Sequence, residues 1–322
     1  MSNRKSINTT LEAAEPFAAE TLDGVVPRVP TSTRVLRSLR RDALAMAGLG
    51  VLVILVLAAV FPEAMSSHSA ISMSVDRIQP PSATHYFGTD QFGRDIFSRS
   101  IVGARVSLVV GVVTVLLALA IGVPLGAIAG YTSPGRTDNV IMRLMDVLMA
   151  FPPIILAITV IAALGTEPIE IGPITIPHIA KLMLVIGVLY SPQVARIVRS
   201  AVLVEREEQY VSAEKVLGTS DMRIVFGDIL RNGISPVIVH ATLMVANAIL
   251  AESALSFLGL GVQPPLPSWG GMLADARAYV ATGEWWLTVF PGLLIFVVVC
   301  ALNVLGDFLR DLFDPRELTM VA

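Results

Sequence analysis

Long apolar runs, separated by polar stretches of very unequal length, dominate the chain. Six of them are long enough to cross a hydrocarbon core, which takes about 20 helical residues. They are Ala43–Phe61, Ala104–Ala129, Val140–Leu164, Ile179–Ile197, Pro236–Phe257 and Thr288–Leu309. The runs are continuous, whereas barrel strands would alternate, so the pattern predicts helices. One polar stretch, 207–236, is more than a connector. Tyr210, Ala213 and Leu217 recur at helical spacing, and after Gly218 the series Met222, Val225, Phe226 and Ile229 repeats it. Two short amphipathic helices joined at Gly218 are expected, with Ser220 as the second N-cap and Asp221 in its first turn.

Composition agrees with an integral membrane protein: 54% of the 322 residues are hydrophobic, 15% are charged, and mean hydropathy is +0.72. A net charge of -3 with no basic face argues against nucleic acid as a partner. The single cysteine, Cys300, allows no intrachain disulfide and reads as a small buried hydrophobe. Residues 1–33 are polar and carry Pro16, Pro27 and Pro30, the composition of a loose tail. The first apolar run lies too deep in the chain, and lacks a small-residue cleavage site, to be a removable signal. The expected organisation is a tail (1–33), a region with the first span and an outer loop (34–103), a core transmembrane domain (104–309) and a carboxyl tail (310–322).

Cations set the expected orientation. Arg34, Arg37, Arg40 and Arg41 precede the first run, and Arg136 and Arg143 flank the second loop. Arg196, Arg199, Arg206, Lys215, Arg223 and Arg231 crowd the fourth loop, and Arg310 and Arg316 follow the last run. The third and fifth loops are poor in cations. Both termini and the 207–236 segment are therefore expected in the cytoplasm, and the long loop 62–103 outside.

Four blocks carry a family resemblance. Ser212-Ala213-Glu214, then Gly218, then Ile229-Leu230-Arg231-Asn232 resembles the coupling loop of binding-protein-dependent ABC importer permeases. It departs from that pattern at Ser212, usually Glu, and at Arg231, usually Pro. Phe87-Gly88-Thr89-Asp90-Gln91-Phe92-Gly93-Arg94-Asp95, continuing to Gly103-Ala104-Arg105, resembles the entry to the second span in C-type permeases of dipeptide and oligopeptide importers. Glu252-Ser253-Ala254-Leu255-Ser256-Phe257, running to Pro267-Ser268-Trp269-Gly270, resembles the end of their fifth span. Leu305-Gly306-Asp307, Arg310-Asp311 and Asp314-Pro315-Arg316 resemble their carboxyl end. The likeness covers most of residues 34–317.

That resemblance implies an all-α integral membrane protein with six spans in the type I ABC importer permease fold, in the cytoplasmic (inner) membrane of a prokaryote. Its implied partners are a homologous B-type permease, two ATPase subunits, an extracytoplasmic solute-binding protein, a short peptide substrate and the bilayer. ATP and Mg2+ would bind the ATPases and no cofactor this chain. Tyr210, Ala213, Glu214, Leu217, Gly218 and Asp221 are the expected ATPase-coupling residues. Nickel chelates, haem or glutathione are alternative cargoes within the class.

The remaining candidates come from local chemistry. Thr89, Asp90, Gly93, Arg94 and Asp95 form an outer-loop motif, with turns at the glycines and charges that pair to brace the second span; docking of a solute receptor is the competing role. Asn247, Glu252, Ser253 and Ser256 are the candidate translocation path, unless Glu252 pairs with a neighbouring helix. Asp146 is expected inside the third span, His240 as a packed histidine, and Trp285 and Trp286 as interfacial anchors. The four histidines, His68, His85, His178 and His240, show no ligand spacing. No phosphate loop, His-Glu-x-x-His or nucleophile elbow occurs, so the chain carries no recognisable machinery for ATP or peptide hydrolysis. An ion-driven carrier would need an acidic relay and an inverted repeat, and neither stands out.

Overall fold

A computed structural model describes residues 38–40 and 42–313. The expected tail at 1–33 and the Asp314-Pro315-Arg316 motif lie outside the described residues. Of the stretch before Asp42, only Ser38–Arg40 is described, as helix. From Asp42 onward the chain is a bundle of α1 (Ala43–Val60), α2 (Ile96–Tyr131), α3 (Arg136–Met149), α4 (Pro153–Leu164), α5 (His178–Glu205), α6 (Gln209–Val216), α7 (Ser235–Phe257), α8 (Trp269–Ala276) and α9 (Trp286–Phe313). Asp42 starts α1 by accepting the backbone N–H groups of Leu44 and Ala45, both at 3.0 Å. Asp95 does the same for α2 through Ser98, at 2.8 Å.

Five helices, α1, α2, α5, α7 and α9, are long and apolar enough to cross a membrane. The third expected span is not one helix. It breaks at 150–152 into α3 and α4, which are bent by 83°. The cause is the Phe151-Pro152-Pro153 run: two consecutive prolines remove two N–H donors and push the preceding residue out of helical conformation. Asp146 consequently sits on α3, outside any continuous span, and takes a 2.6 Å ion pair from Arg196 of α5.

A β-hairpin that the hydropathy pattern did not reveal joins α4 to α5. Ile169–Ile171 (β1) pairs antiparallel with Ile174–Ile176 (β2) around Gly172-Pro173. The Ile-Glu-Ile-Gly-Pro-Ile-Thr-Ile alternation is a hairpin signal short enough to be lost beside the apolar helices. Lys181 braces the region by donating to the carbonyls of Gly165 and Glu167.

The closest helix seam lies between α2 and α5. Gly122, Gly126 and Gly130 lie one turn apart on α2 and face the backbone of α5. A Cβ built on them would stand 2.6, 2.4 and 2.8 Å from the carbonyl oxygens of Ser191, Ala195 and Arg199. Only glycine permits this approach, the small-xxx-small packing typical of membrane helices. α1 packs against both α9 and α2, and α7 packs between α9 and α2. Cys300 is exposed on α9, not buried, because α9 packs through other faces.

Candidate functional site

The sequence-predicted coupling segment folds as two helical pieces. α6 ends at Val216 with Leu217 as its C-cap, and Gly218 (φ +79°) turns the chain through the left-handed region. The second piece spans 221–233, and its middle, Ile224–Ile229, is wound as a π-helix. Ser220 begins it with its backbone carbonyl, accepting from Arg223 and Ile224, and makes no side-chain cap. Asp221 is engaged elsewhere: it accepts the Tyr131 hydroxyl of α2 at 2.6 Å.

The π-turn also corrects the expected apolar stripe. Wider i→i+5 winding shifts the register, so Met222, Val225, Phe226 and Ile229 do not share one face. Val225 and Ile229 turn inward with Val211 and Ile224, and these four join one apolar cluster with Ala127, Val194, Val198, Val202 and Val237 of the long helices. Met222 and Phe226 turn outward. Tyr210, expected to reach outward, packs on the same inner cluster and donates its hydroxyl to Glu205 at 3.0 Å. Partial burial, with Glu205 beside it, raises its phenol above the usual range.

What remains outside is an apolar ridge. Val216 is 88% exposed, Leu217 82% and Met222 66%, with Ala213 and Gly218 exposed between them. Glu214 is half-buried, and one of its carboxylate oxygens has no hydrogen-bond partner among the described residues. Val216 and Met222 were not among the expected coupling residues; helical spacing alone could not tell which apolar positions face out.

Cations tie together the helix ends beside this segment. Arg199 of α5 donates twice to Asp138 of α3, both at 2.7 Å, a fork-to-fork pair. Arg206 donates to the carbonyls of Gly130, Tyr131 and Ser133, which close α2. Lys215 lies over the Tyr131 ring, 5.1 Å from its centre. The segment therefore touches α2 through Lys215 and Asp221 on Tyr131, while Arg199 and Arg206 hold α5 to α3 and α2. Tyr131, Asp138, Arg199 and Arg206 escaped sequence reasoning because their partners are distant along the chain.

At the other end of α2, about 54 Å away along a 36-residue helix, the outer-loop motif is a buried polar knot. Asp90 accepts the backbone N–H groups of Phe92 and Arg94 through one oxygen and the Arg94 guanidinium at 2.7 Å through the other. Arg94 also donates to Asp275, 3.2 Å away. The Thr89 hydroxyl accepts from Gln79 N–H and donates to the Asp76 carbonyl. Gly93 (φ +72°) lies so close to Ser74 that a Cβ would stand 2.3 Å from its carbonyl oxygen. Trp286 belongs to this knot, buried with its indole N–H toward the Thr89 carbonyl, so of the two expected anchors only Trp285 is exposed. The histidines are not all scattered: the His68 and His85 rings lie with centres 4.7 Å apart, tilted by 33°, and His85 meets Asp95 at 2.9 Å.

The candidate translocation path divides. Asn247 is exposed on α7, its carbonyl accepting from Tyr190 at 3.2 Å. Glu252 is 0% exposed, and Ser253 and Ser256 are buried with it. Its carboxyl group receives hydroxyl donors from Ser256 at 2.6 Å, Ser107 at 3.2 Å and Ser253 at 3.4 Å. A carboxyl group inside a span is kept among donors from its own and a neighbouring helix, which ties α7 to α2. His240 is packed in α7, but its Nε2 has no partner among the described residues.

Residues 122–318 match the family model described as binding-protein-dependent transport system inner membrane component, and residues 32–81 match the N-terminal TM domain of oligopeptide transport permease C. The chain is 43% identical over 282 residues to a dipeptide transport system permease protein of Alkalihalophilus pseudofirmus, covering 87% of this chain and 88% of that protein. It is 38% identical over 281 residues to a glutathione transport system permease protein of Pectobacterium atrosepticum, covering 87% and 89%. Among solved structures, an inward-facing MetNI methionine ABC transporter chain superposes with a TM-score of 0.53 at 19% identity, over 67% of this chain and 97% of that one. This last likeness concerns the fold.

Proposed function

Since the chain belongs to the family of binding-protein-dependent transport system inner membrane components, we propose that it forms half of the pore of an ATP-driven importer of short peptides, gripped from the cytoplasm by a separate ATPase. The observation that carries this is the exposed ridge of Ala213, Val216, Leu217 and Met222, whose supporting helices are continuous with the core of the spans. An apolar ridge on a polar segment is unfavourable unless a partner covers it. A rigid segment passes displacement on, where a flexible loop would absorb it.

Both termini lie on the ridge side in this reading, in keeping with the cations clustered there. A homologous B-type permease completes the pore, two ATPases bind the two coupling segments, and an extracytoplasmic receptor delivers the peptide. ATP and Mg2+ act only in the ATPases: their closure moves the coupling helices together, and hydrolysis resets the pore. Asn247 is the residue of the candidate path that a passing peptide amide can meet without rearrangement. Glutathione, named for one relative, is itself a tripeptide and falls in the same substrate class.

Leu217→Asp tests the ridge. The variant is expected to insert normally, lose co-purifying ATPase and lose nucleotide-dependent peptide uptake in vesicles. Undiminished ATPase association would refute the docking role. Uptake that needs no nucleotide but collapses with an uncoupler would overturn the importer assignment itself.

A further inference from the structure

At the amino end of α2, three side chains from separate stretches converge. His68 follows the turn Pro62–Met65, His85 lies seventeen residues further on in the loop, and Asp95 caps the helix. One ligand atom from each lies within 4.8 Å of the other two. We propose that His68, His85 and Asp95 form a binding site for a divalent transition-metal cation, with Zn2+ the best-fitting ion.

The supporting hydrogen bonds are arranged as a metal site requires. One Asp95 oxygen, Oδ2, is committed to the Ser98 N–H, the Ser98 hydroxyl and the Ser67 hydroxyl, at 2.8, 2.7 and 3.3 Å. Its other oxygen is left for the cluster and lies 2.9 Å from His85 Nδ1. His68 is held at its backbone, its N–H donating to Ser98 Oγ at 3.0 Å, while its Nδ1 lies 3.1 Å from Ser67 Oγ. Holding one imidazole nitrogen with an oxygen fixes the tautomer and aims the other nitrogen, the usual arrangement around a metal-binding histidine. Asp95 serves as a ligand through the other oxygen, Oδ1.

The donor set selects the ion. Two imidazoles and one carboxylate without a thiolate suit Zn2+, Ni2+ or Cu2+, and exclude a hard all-oxygen site for Ca2+ or Mg2+. Bonds of about 2.0–2.2 Å in a tetrahedron set ligand atoms roughly 3.4 Å apart, so ligand atoms now within 4.8 Å of one another need only small side-chain shifts. His68 is exposed and free to make that movement, while Asp95 is buried and fixed. Three protein ligands leave a fourth position on the exposed side for water or a donor from another molecule.

The test is direct binding, independent of transport. The full chain, purified through a tag without histidines and stripped of metal, is placed in lipid nanodiscs and titrated with Zn2+ by calorimetry and with Co2+ by visible absorption. One equivalent of Zn2+ bound with micromolar or tighter affinity is expected, along with the intense cobalt bands of a tetrahedral site. His68→Ala should weaken binding at least tenfold without unfolding the protein, because the ring is exposed; His85→Ala should do the same. Asp95 is left intact because it also caps α2. Absence of binding by the parent chain at micromolar metal, or affinity unchanged in His68→Ala, would overturn the site.

Discussion

Gly126→Ala is the sharpest test of how the spans are held. The added methyl would stand 2.4 Å from the Ala195 carbonyl oxygen and 2.8 Å from Val198 Cβ. Ordinary contact begins near 3.4 Å, so α2 and α5 must part locally by about an ångström; a gap of that size forfeits a quarter to a half of each dispersion contact along the seam. With each contact worth about 0.1–0.2 kcal/mol and tens of them between Gly122 and Gly130, the loss is about 1–3 kcal/mol. That range is the usual one for overpacking. At its lower end it shifts the folded-to-unfolded ratio by about fivefold. Gly50→Ala on α1 is the matched control: nothing lies within 4 Å of its would-be Cβ, so no loss is expected. Detergent-driven unfolding in mixed micelles, followed by helical signal, measures both. Equal unfolding midpoints for Gly126→Ala and the parent, or an equal loss in Gly50→Ala, would refute close approach as the basis of the seam.

Four further outcomes are expected. Gly218→Val meets no neighbour, but its φ of +79° costs a β-branched residue about 1–2 kcal/mol or more; the spans should insert while ATP hydrolysis no longer drives uptake, and normal uptake would remove the lever argument. Tyr131→Phe deletes the 2.6 Å bond to Asp221, worth about 0.5–1.5 kcal/mol or somewhat more for a charged acceptor; amide exchange should quicken at 219–226 and stay unchanged in α1. Arg199→Lys cannot keep both 2.7 Å bonds to Asp138 and should lower stability by about 1–2 kcal/mol in the same unfolding assay. Glu252→Leu strands the hydroxyls of Ser107 and Ser253 and should cost about 1–3 kcal/mol, whereas Glu252→Gln retains acceptor capacity and should cost less; equal melting temperatures for the two variants would argue against the serine cage.

Much was legible in the sequence. Length and continuity of apolar runs marked six spans, five of which stand as single helices, because lipid forces the backbone to satisfy itself within each segment. Gly218 announced the turn in the coupling segment, since few other residues hold a left-handed conformation cheaply. The break at Pro152-Pro153 was readable too, but the uninterrupted apolar run around it masked the backbone signal. The π-turn was not readable: nothing in Ile224–Ile229 distinguishes it from ordinary helix, and it decides that Phe226 turns outward and Val225 inward.

The sequence by itself determined which segments leave water, the turn at Gly218, and the family to which the motifs point. Tertiary structure alone decided which side of each span is interior. Hydropathy cannot make that choice in a membrane, because lipid and protein core are equally apolar; hence exposed Cys300, buried Trp286 and sealed Glu252. It also decided the polar partnerships. Asp138 with Arg199, Tyr131 with Asp221 and Ser107 with Glu252 are 61, 90 and 145 residues apart. Such pairs depend on where helices cross, and the crossing of α2 and α5 is set by how closely three glycines let them approach.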